Sequence, residues 1–152
     1  MTVTIEDASI RHLDRLYEIE TECFDREAFT KKQIGRLLAD YNSVGLIAKE
    51  DEKIVGFIIG TIQSEESSLI GHIITIDISK THRRKGLGVR LLQEIEKILR
   101  EKGANECCLE AREDNTAALN LYQKLGYTKA GRLRNYYGNA HGTFLRKTLT
   151  QP

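Results

Sequence analysis

A chain of 152 residues, 40% hydrophobic and 30% charged, has the material for one domain, residues 1–152, around one core. Its formal net charge is +1, so no overall field draws it to nucleic acid or a membrane surface, and any basic function must be local. No apolar run approaches the ~20 residues a bilayer-spanning helix needs. The first six residues lack a signal-peptide pattern, and the chain reads as cytosolic. Cys23, Cys107 and Cys108 give neither a disulfide framework nor a zinc spacing. They read as small buried hydrophobes, with Cys107 and Cys108 on opposite faces of a strand. No histidine pair has metal-ligand spacing, so no metal is expected.

Residues 2–6 predict a short strand. Ser9 caps a helix with Ile10, Leu13, Leu16 or Tyr17, and Ile19 inward. Thr30 caps a second, with Ile34, Leu37, Leu38 and Tyr41 inward. Residues 44–48 and 54–62 predict a hairpin around the polar turn Glu50-Asp51-Glu52-Lys53, and residues 69–78 a further strand. A long helix over 89–102 turns Leu91, Leu92, Ile95, Ile98 and Leu99 inward and stops at Gly103. Residues 106–111 form a strand. A helix over 115–125 follows, capped by Asn115, with Ala118, Leu121, Tyr122 and Leu125 on one face and Gly126 as its stop. Strands over 127–133 and 142–149 close the chain. A helix between two strands at the centre predicts a right-handed crossover and a parallel pair, and the flanking hairpins should be antiparallel.

The segment Arg83-Arg84-Lys85-Gly86-Leu87-Gly88 lies between an apolar strand and the long helix. Glycines let the backbone come close to a ligand. The first-turn N–H groups of a helix have no internal partner, and the dipole favours an anion there. Three cations can add charge-assisted hydrogen bonds. The segment therefore predicts a phosphate-bearing cofactor. It is not a P-loop, since no Gly-x-x-x-x-Gly-Lys-Ser/Thr occurs. It is not a dinucleotide fingerprint, since Leu91 stands where the third glycine belongs.

This segment resembles the acyl-CoA loop of the GNAT N-acetyltransferases. The stretch from Asn115 to Tyr127 resembles the second signature of that family, Asn-x-x-Ala-x-x-Leu-Tyr-x-x-x-Gly-Phe/Tyr, and follows in the family's order. The resemblance covers most of the chain. It implies the GNAT fold, an α/β (α+β mixed) arrangement with a central mixed, mostly antiparallel sheet of about seven strands flanked by four helices. It also implies acetyl transfer from acetyl-CoA, the co-substrate, to an amine, by a monomer or weak homodimer.

Each need of that reaction points to a residue. By resemblance, main-chain N–H groups of a splayed strand, Ile76-Asp77-Ile78, meet the thioester carbonyl, as an oxyanion hole would. Asp77 breaks the apolar run, and faces either solvent or the amine site. Tyr122 is the acid for the leaving thiolate: a phenol near ~10 is only slightly weaker an acid than a thiol near ~8.5. Glu110 matches the glutamate that serves as base in RimI-type N-terminal acetyltransferases. A glutamate near ~4.3 needs burial or a water relay to serve an α-ammonium near ~8. Asn115 caps its helix and can bond the pantetheine arm. His72 reads as a structural or substrate-wall residue; His82 borders the phosphate loop, and His12 and His141 read as surface residues.

Two features lean toward protein or peptide N-termini as the acceptor. Glu110, Asn115 and Tyr122 together match the RimI-type pattern. Tyr136-Tyr137 resembles the paired tyrosines lining the peptide site of such enzymes, and Phe24 and Phe29 could wall the first substrate residue. The Glu-Asp-Ala usual after the tyrosines is replaced by Gly138-Asn139-Ala140, and the proline usual near Phe24 is missing. A small amine or polyamine is the rival acceptor; it would favour an acidic pocket, for which Glu20, Glu22, Glu65 and Glu66 are available, although charge runs are usually solvated faces. A rival of another class is a CoA-binding regulatory module without catalysis, against which the presence of both Glu110 and Tyr122 argues. Nothing near Cys107 or Cys108 marks an activated thiolate for a ping-pong route.

Overall fold

The computed structural model describes residues 2–24 and 27–149. In chain order it runs β1 (Val3–Asp7), α1 (Leu13–Cys23), α2 (Lys31–Ala39), β2 (Ser43–Glu50), β3 (Lys53–Glu65), β4 (Ser68–Ile78), α3 (Leu87–Glu101), β5 (Ala104–Arg112), α4 (Thr116–Lys124), β6 (Thr128–Leu133) and β7 (Gly142–Thr148). The seven strands form one sheet in the order β1-β2-β3-β4-β5-β7-β6. Every neighbouring pair is antiparallel except β4 and β5, the two strands joined through α3. Element order, parallel pair and flanking hairpins are as the sequence predicts.

Local chemistry explains the boundaries. Asp51 and Glu52 both take positive φ, 50° and 69°, the left-handed pair that matches a two-residue hairpin turn to the twist of its strands. Thr30 Oγ1 accepts from the Gln33 N–H at 3.1 Å, while Gln33 Oε1 accepts from the Thr30 N–H at 2.8 Å, a reciprocal cap on α2. Gly103 and Gly126, each at φ 100°, end α3 and α4.

The sheet is covered on both faces. On one, Leu91, Leu92, Ile95 and Leu99 of α3 are fully buried with Leu109 and Leu145, each worth about 1.5–3 kcal/mol relative to exposure. On the other, Leu16, Ile19 and Ile34 of α1 and α2 pack on Ile47, Phe57 and Ile59. Residues 55–61 of β3 are buried throughout because they lie between the two layers. Glu96 on α3 accepts from the Tyr127 hydroxyl at 2.7 Å and from Lys147 Nζ at 2.8 Å, so its buried charge is paired.

Four expectations need correction. Ile10 is 59% exposed, because residues Ile10–His12 form a 3₁₀ turn whose tighter winding takes it off the α1 stripe. Tyr41 is 99% exposed, since α2 ends at Ala39 and helical spacing no longer applies to it. The long helix starts two residues earlier than predicted, at Leu87, because Gly86 provides its left-handed cap. On α4 the buried pair is Leu119 and Tyr122, while Ala118 and Leu121 turn toward a cavity. Among the described residues, no helix is long and apolar enough to cross a membrane.

Candidate active site

The site begins where two strands part. The parallel pairing of β4 with β5 runs from Leu69–Ala104 to His72–Cys108 and stops. Beyond it, β4 stays paired with β3 as far as Ile78, and β5 stays paired with β7 as far as Arg112. A cavity of about 570 Å³ opens in this fork. Residues 73–76 and 78 of β4 form one wall, residues 109–112 of β5 the other, and α4 lies across it.

At one end is the loop from β4 to α3. Gly86 adopts φ 78°, and a Cβ added there would meet nothing within 4 Å, so the position demands a backbone conformation rather than space. Gly88 lines the cavity; a Cβ on it would lie 3.9 Å from Ile76 and Ile78 side-chain atoms. Leu87 is buried at 4% exposure, so only its main chain can serve a ligand. Arg84 and Lys85, next along the loop, are exposed and are not among the residues lining the cavity. Arg83 lines the cavity and ties the loop down: its Nε donates to the Ile78 carbonyl at 3.1 Å and its Nη2 to Cys23 Sγ at 3.3 Å. A left-handed cap, a helix N-terminus and exposed cations on the same loop fit a polyphosphate.

Midway, Tyr122 and Glu110 face the same cavity. Tyr122 is 9% exposed, packs edge-on to Tyr127 at 6.1 Å, and burial pushes its phenol up to about 12. Asn115 Oδ1 accepts the Ala118 N–H at 3.1 Å, which leaves the amide N–H groups for whatever fills the cavity. Glu110 meets His72, whose Nε2 lies 2.8 and 3.0 Å from its two carboxylate oxygens; Gln63 Nε2 lies 3.3 Å from His72 Nδ1. With the amide of Gln63 donating to Nδ1, the ring proton sits on Nε2 and points at Glu110.

Asp77 does not face solvent. It is 1% exposed, and its side chain turns toward α1, where Thr75 Oγ1 lies 2.6 Å from Asp77 Oδ1 and 3.0 Å from Glu20 Oε1. Burial, with Glu20 alongside, raises Asp77 well above the usual carboxylate range. Glu20 is 1% exposed and so is not part of a solvated charge run. Glu65 and Glu66 are exposed at the β3–β4 turn, away from the cavity.

At the far end, Phe24 and Phe29 from the α1–α2 connection face Tyr136 and Tyr137 from the β6–β7 loop, and all four line the cavity. Asp25 and Arg26 of that connection lie outside the described residues. The tyrosines meet edge-to-face at 4.9 Å. Arg112 ties the two loops together. It pairs with Glu27 of the first, and its Nη1 donates to Asn139 Oδ1 of the second at 3.2 Å. Its guanidinium lies 5.7 Å from the Tyr137 ring centre, and its Nε donates to Asp114 at 3.0 Å. Cys107 and Cys108 are buried, and burial pushes their thiols up to about 12 and about 11, the opposite of activation. Among the described residues, no cluster of three or more His, Cys, Asp or Glu is placed to hold a metal ion.

The description "Acetyltransferase (GNAT) family" matches residues 13–127. The chain belongs to this family. An N-alpha-acetyltransferase of Sulfurisphaera tokodaii is 34% identical over 117 residues, 71% of this chain and 70% of that protein. The [Ribosomal protein bS18]-alanine N-acetyltransferase of Salmonella typhimurium is 30% identical over 139 residues, 91% of this chain and 90% of that protein. The crystal structure of Ard1 from Thermoplasma volcanium matches with a TM-score of 0.89 at 23% identity, covering 99% of this chain and all, 100%, of that one.

Within this GNAT chain, three parts of the cavity were not apparent from the residues alone: the His72–Glu110 pair, the Glu20–Thr75–Asp77 cluster and the Arg112 clasp. Each joins side chains 38 to 85 positions apart in sequence. The strand alternation of Thr75 and Asp77 was the one local signal, placing both on one face.

Proposed function

We propose that this chain transfers the acetyl group of acetyl-CoA to the α-amine at a protein or peptide N-terminus, in one step within a ternary complex. The observation that carries the reading is the single cavity between β4 and β5. A phosphate-type loop lies at one end, an aromatic wall at the other, and Glu110 and Tyr122 both line it between them. Relatives at 34% and 30% identity are named for N-terminal acetylation, which supports this choice of acceptor.

Main-chain N–H groups at the start of α3, with Arg84 and Lys85, hold the diphosphate. The Asn115 amide contacts the pantetheine arm. In the Ile76-Asp77-Ile78 stretch, the main-chain N–H groups that face the fork, those of Ile76 and Ile78, polarise the thioester carbonyl, and these fixed dipoles need no reorganisation as charge develops there. Glu110 takes a proton from the acceptor ammonium. His72 orients its carboxylate by donating to it, much as a base is oriented by a third group elsewhere. The neutral amine then attacks the carbonyl carbon, the C–S bond breaks, Tyr122 donates its proton to the departing thiolate and regains one from the nitrogen as the amide forms, and Glu110 releases the proton it took to solvent. A phenol pushed up to about 12 is protonated at any working pH, and the burial that makes it a weaker acid also disfavours a thiolate in the same cavity, which keeps transfer to sulfur accessible. Phe24, Phe29, Tyr136 and Tyr137 hold the first residues of the acceptor.

The test is thiol release from acetyl-CoA against two panels, short peptides with varied first residues and polyamines. Turnover on the peptides bears the reading out; turnover on polyamines alone replaces it with small-amine acetylation.

A further inference from the structure

Thr75 Oγ1 contacts two carboxyls at once, Glu20 Oε1 at 3.0 Å and Asp77 Oδ1 at 2.6 Å. A hydroxyl has one proton to give and lone pairs to accept with. It can donate to one carboxylate only. The other contact is a hydrogen bond only if that second carboxyl donates to the hydroxyl. One of the two acids therefore carries a proton.

The remaining oxygens say which. Glu20 Oε2 accepts the Phe29 main-chain N–H at 3.0 Å. Asp77 Oδ2 is buried and has no hydrogen-bond partner among the described residues. An unpartnered oxygen costs far more on a buried anion than on a neutral acid. The proton sits on Asp77 Oδ1, directed at Thr75; Thr75 donates to Glu20; and Glu20 keeps the charge. The groups facing Asp77 agree with this. Glu20 and Cys23 come from α1, Arg83 from the loop after β4, and Tyr122 from α4. Arg83 favours the anion, but burial and Glu20 outweigh it. Cys23 and Tyr122 are themselves pushed up by burial, so neither brings a positive charge.

The cluster spans two parts of the site. Thr75 and Asp77 lie on the half of β4 that has left β5, and Phe29 belongs to the connection that walls the far end of the cavity. The geometry points to Glu20, Thr75 and Asp77 as a proton-sharing tether that positions the Phe29 wall against β4, so that the acceptor end of the cavity keeps its shape only while Asp77 remains protonated. Removing that proton sets two buried anions about one hydroxyl. One contact must then break, and Phe29 follows Glu20. The inference rests on the proposed function for its kinetic readout but not for its spectroscopic one.

The experiment is infrared spectroscopy of the protein carrying isotope-labelled aspartate, titrated with pH, alongside the acceptor KM over the same range. A protonated-carboxyl band persists at neutral pH, is lost on alkaline titration, and is missing from Asp77→Asn. Acceptor KM rises as the band disappears, the acetyl-CoA KM stays flat, and Asp77→Asn shows no such rise. Thr75→Val raises acceptor KM about tenfold at every pH, the scale of one hydrogen bond to a charged group, and Thr75→Ser restores it. No protonated-carboxyl band in the wild type at neutral pH overturns the tether, whatever the activity. So does a KM profile identical in wild type and Asp77→Asn.

Discussion

His72 is the last residue of β4 to pair with β5, opposite Cys108, and its ring reaches Glu110 two positions further on, with 2.8 Å between Nε2 and the carboxylate. The residue that closes the sheet's fork therefore also holds the carboxylate that faces into it. His72 lies behind Glu110, which alone of the pair lines the cavity.

If Glu110 takes the proton from the acceptor, Glu110→Gln lowers turnover most at neutral pH and progressively less as pH rises past the α-amine value near ~8, where the amine needs no base. His72→Phe gives part of the same loss with the same pH trend. A pH profile of kcat/KM for both variants checks this; a loss independent of pH would assign Glu110 to binding instead.

Tyr122→Phe removes the hydroxyl proposed to donate to the thiolate but keeps the ring that packs on Tyr127. Turnover should fall about 10²-fold or more with the melting temperature little changed. A more acidic leaving thiol, such as that of an aryl thioester analogue, should recover part of the loss. Unchanged turnover would take Tyr122 out of the chemistry.

The element order could be read from periodicity and turn residues, because hairpins, caps and stops are local. Residues 83–88 and the Tyr136-Tyr137 pair could be picked out because each is a run of neighbours in sequence. The fork itself followed only from the family resemblance, which implies a splayed strand at Ile76-Asp77-Ile78. Where β4 and β5 stop pairing depends on the other neighbour each strand keeps, and no local pattern records that. The direction of Asp77 was undecided for the same reason, since its partner Glu20 lies 55 residues from Thr75, the hydroxyl between them. Ile10 and Tyr41 were misplaced because helical spacing was extended into a 3₁₀ turn and past a helix end.

Arg112 fastens both loops of the acceptor mouth through Glu27, Asn139 and the Tyr137 ring. Arg112→Ala should raise the acceptor KM several-fold and leave the acetyl-CoA KM near wild type. Arg112→Lys should recover little, because a single ammonium cannot reach three directions as the planar guanidinium does. Steady-state kinetics with each substrate varied in turn separates the two constants.

Buried acids predict alkaline lability. Cys108 is held neutral to about 11, and Cys107 and Tyr122 to about 12, whereas unfolded thiols titrate near ~8.5 and phenols near ~10. Between those limits the unfolded chain binds fewer protons than the native one, so stability falls as pH rises. The urea midpoint should fall gently below about pH 8, where the native chain keeps the Asp77 proton that the unfolded chain has lost, and steeply from there toward pH 11. Replacing Cys107 and Cys108 by Ala should make that decline shallower, at some cost in packing.

The most direct test offers the protein acetyl-CoA and a peptide that carries both a free α-amine and an internal lysine, and locates the added acetyl group by tandem mass spectrometry. Acetylation of the α-amine, lost in Glu110→Gln at neutral pH, is the expected result. Acetylation of the lysine alone, or of polyamines with the peptide untouched, would contradict the account.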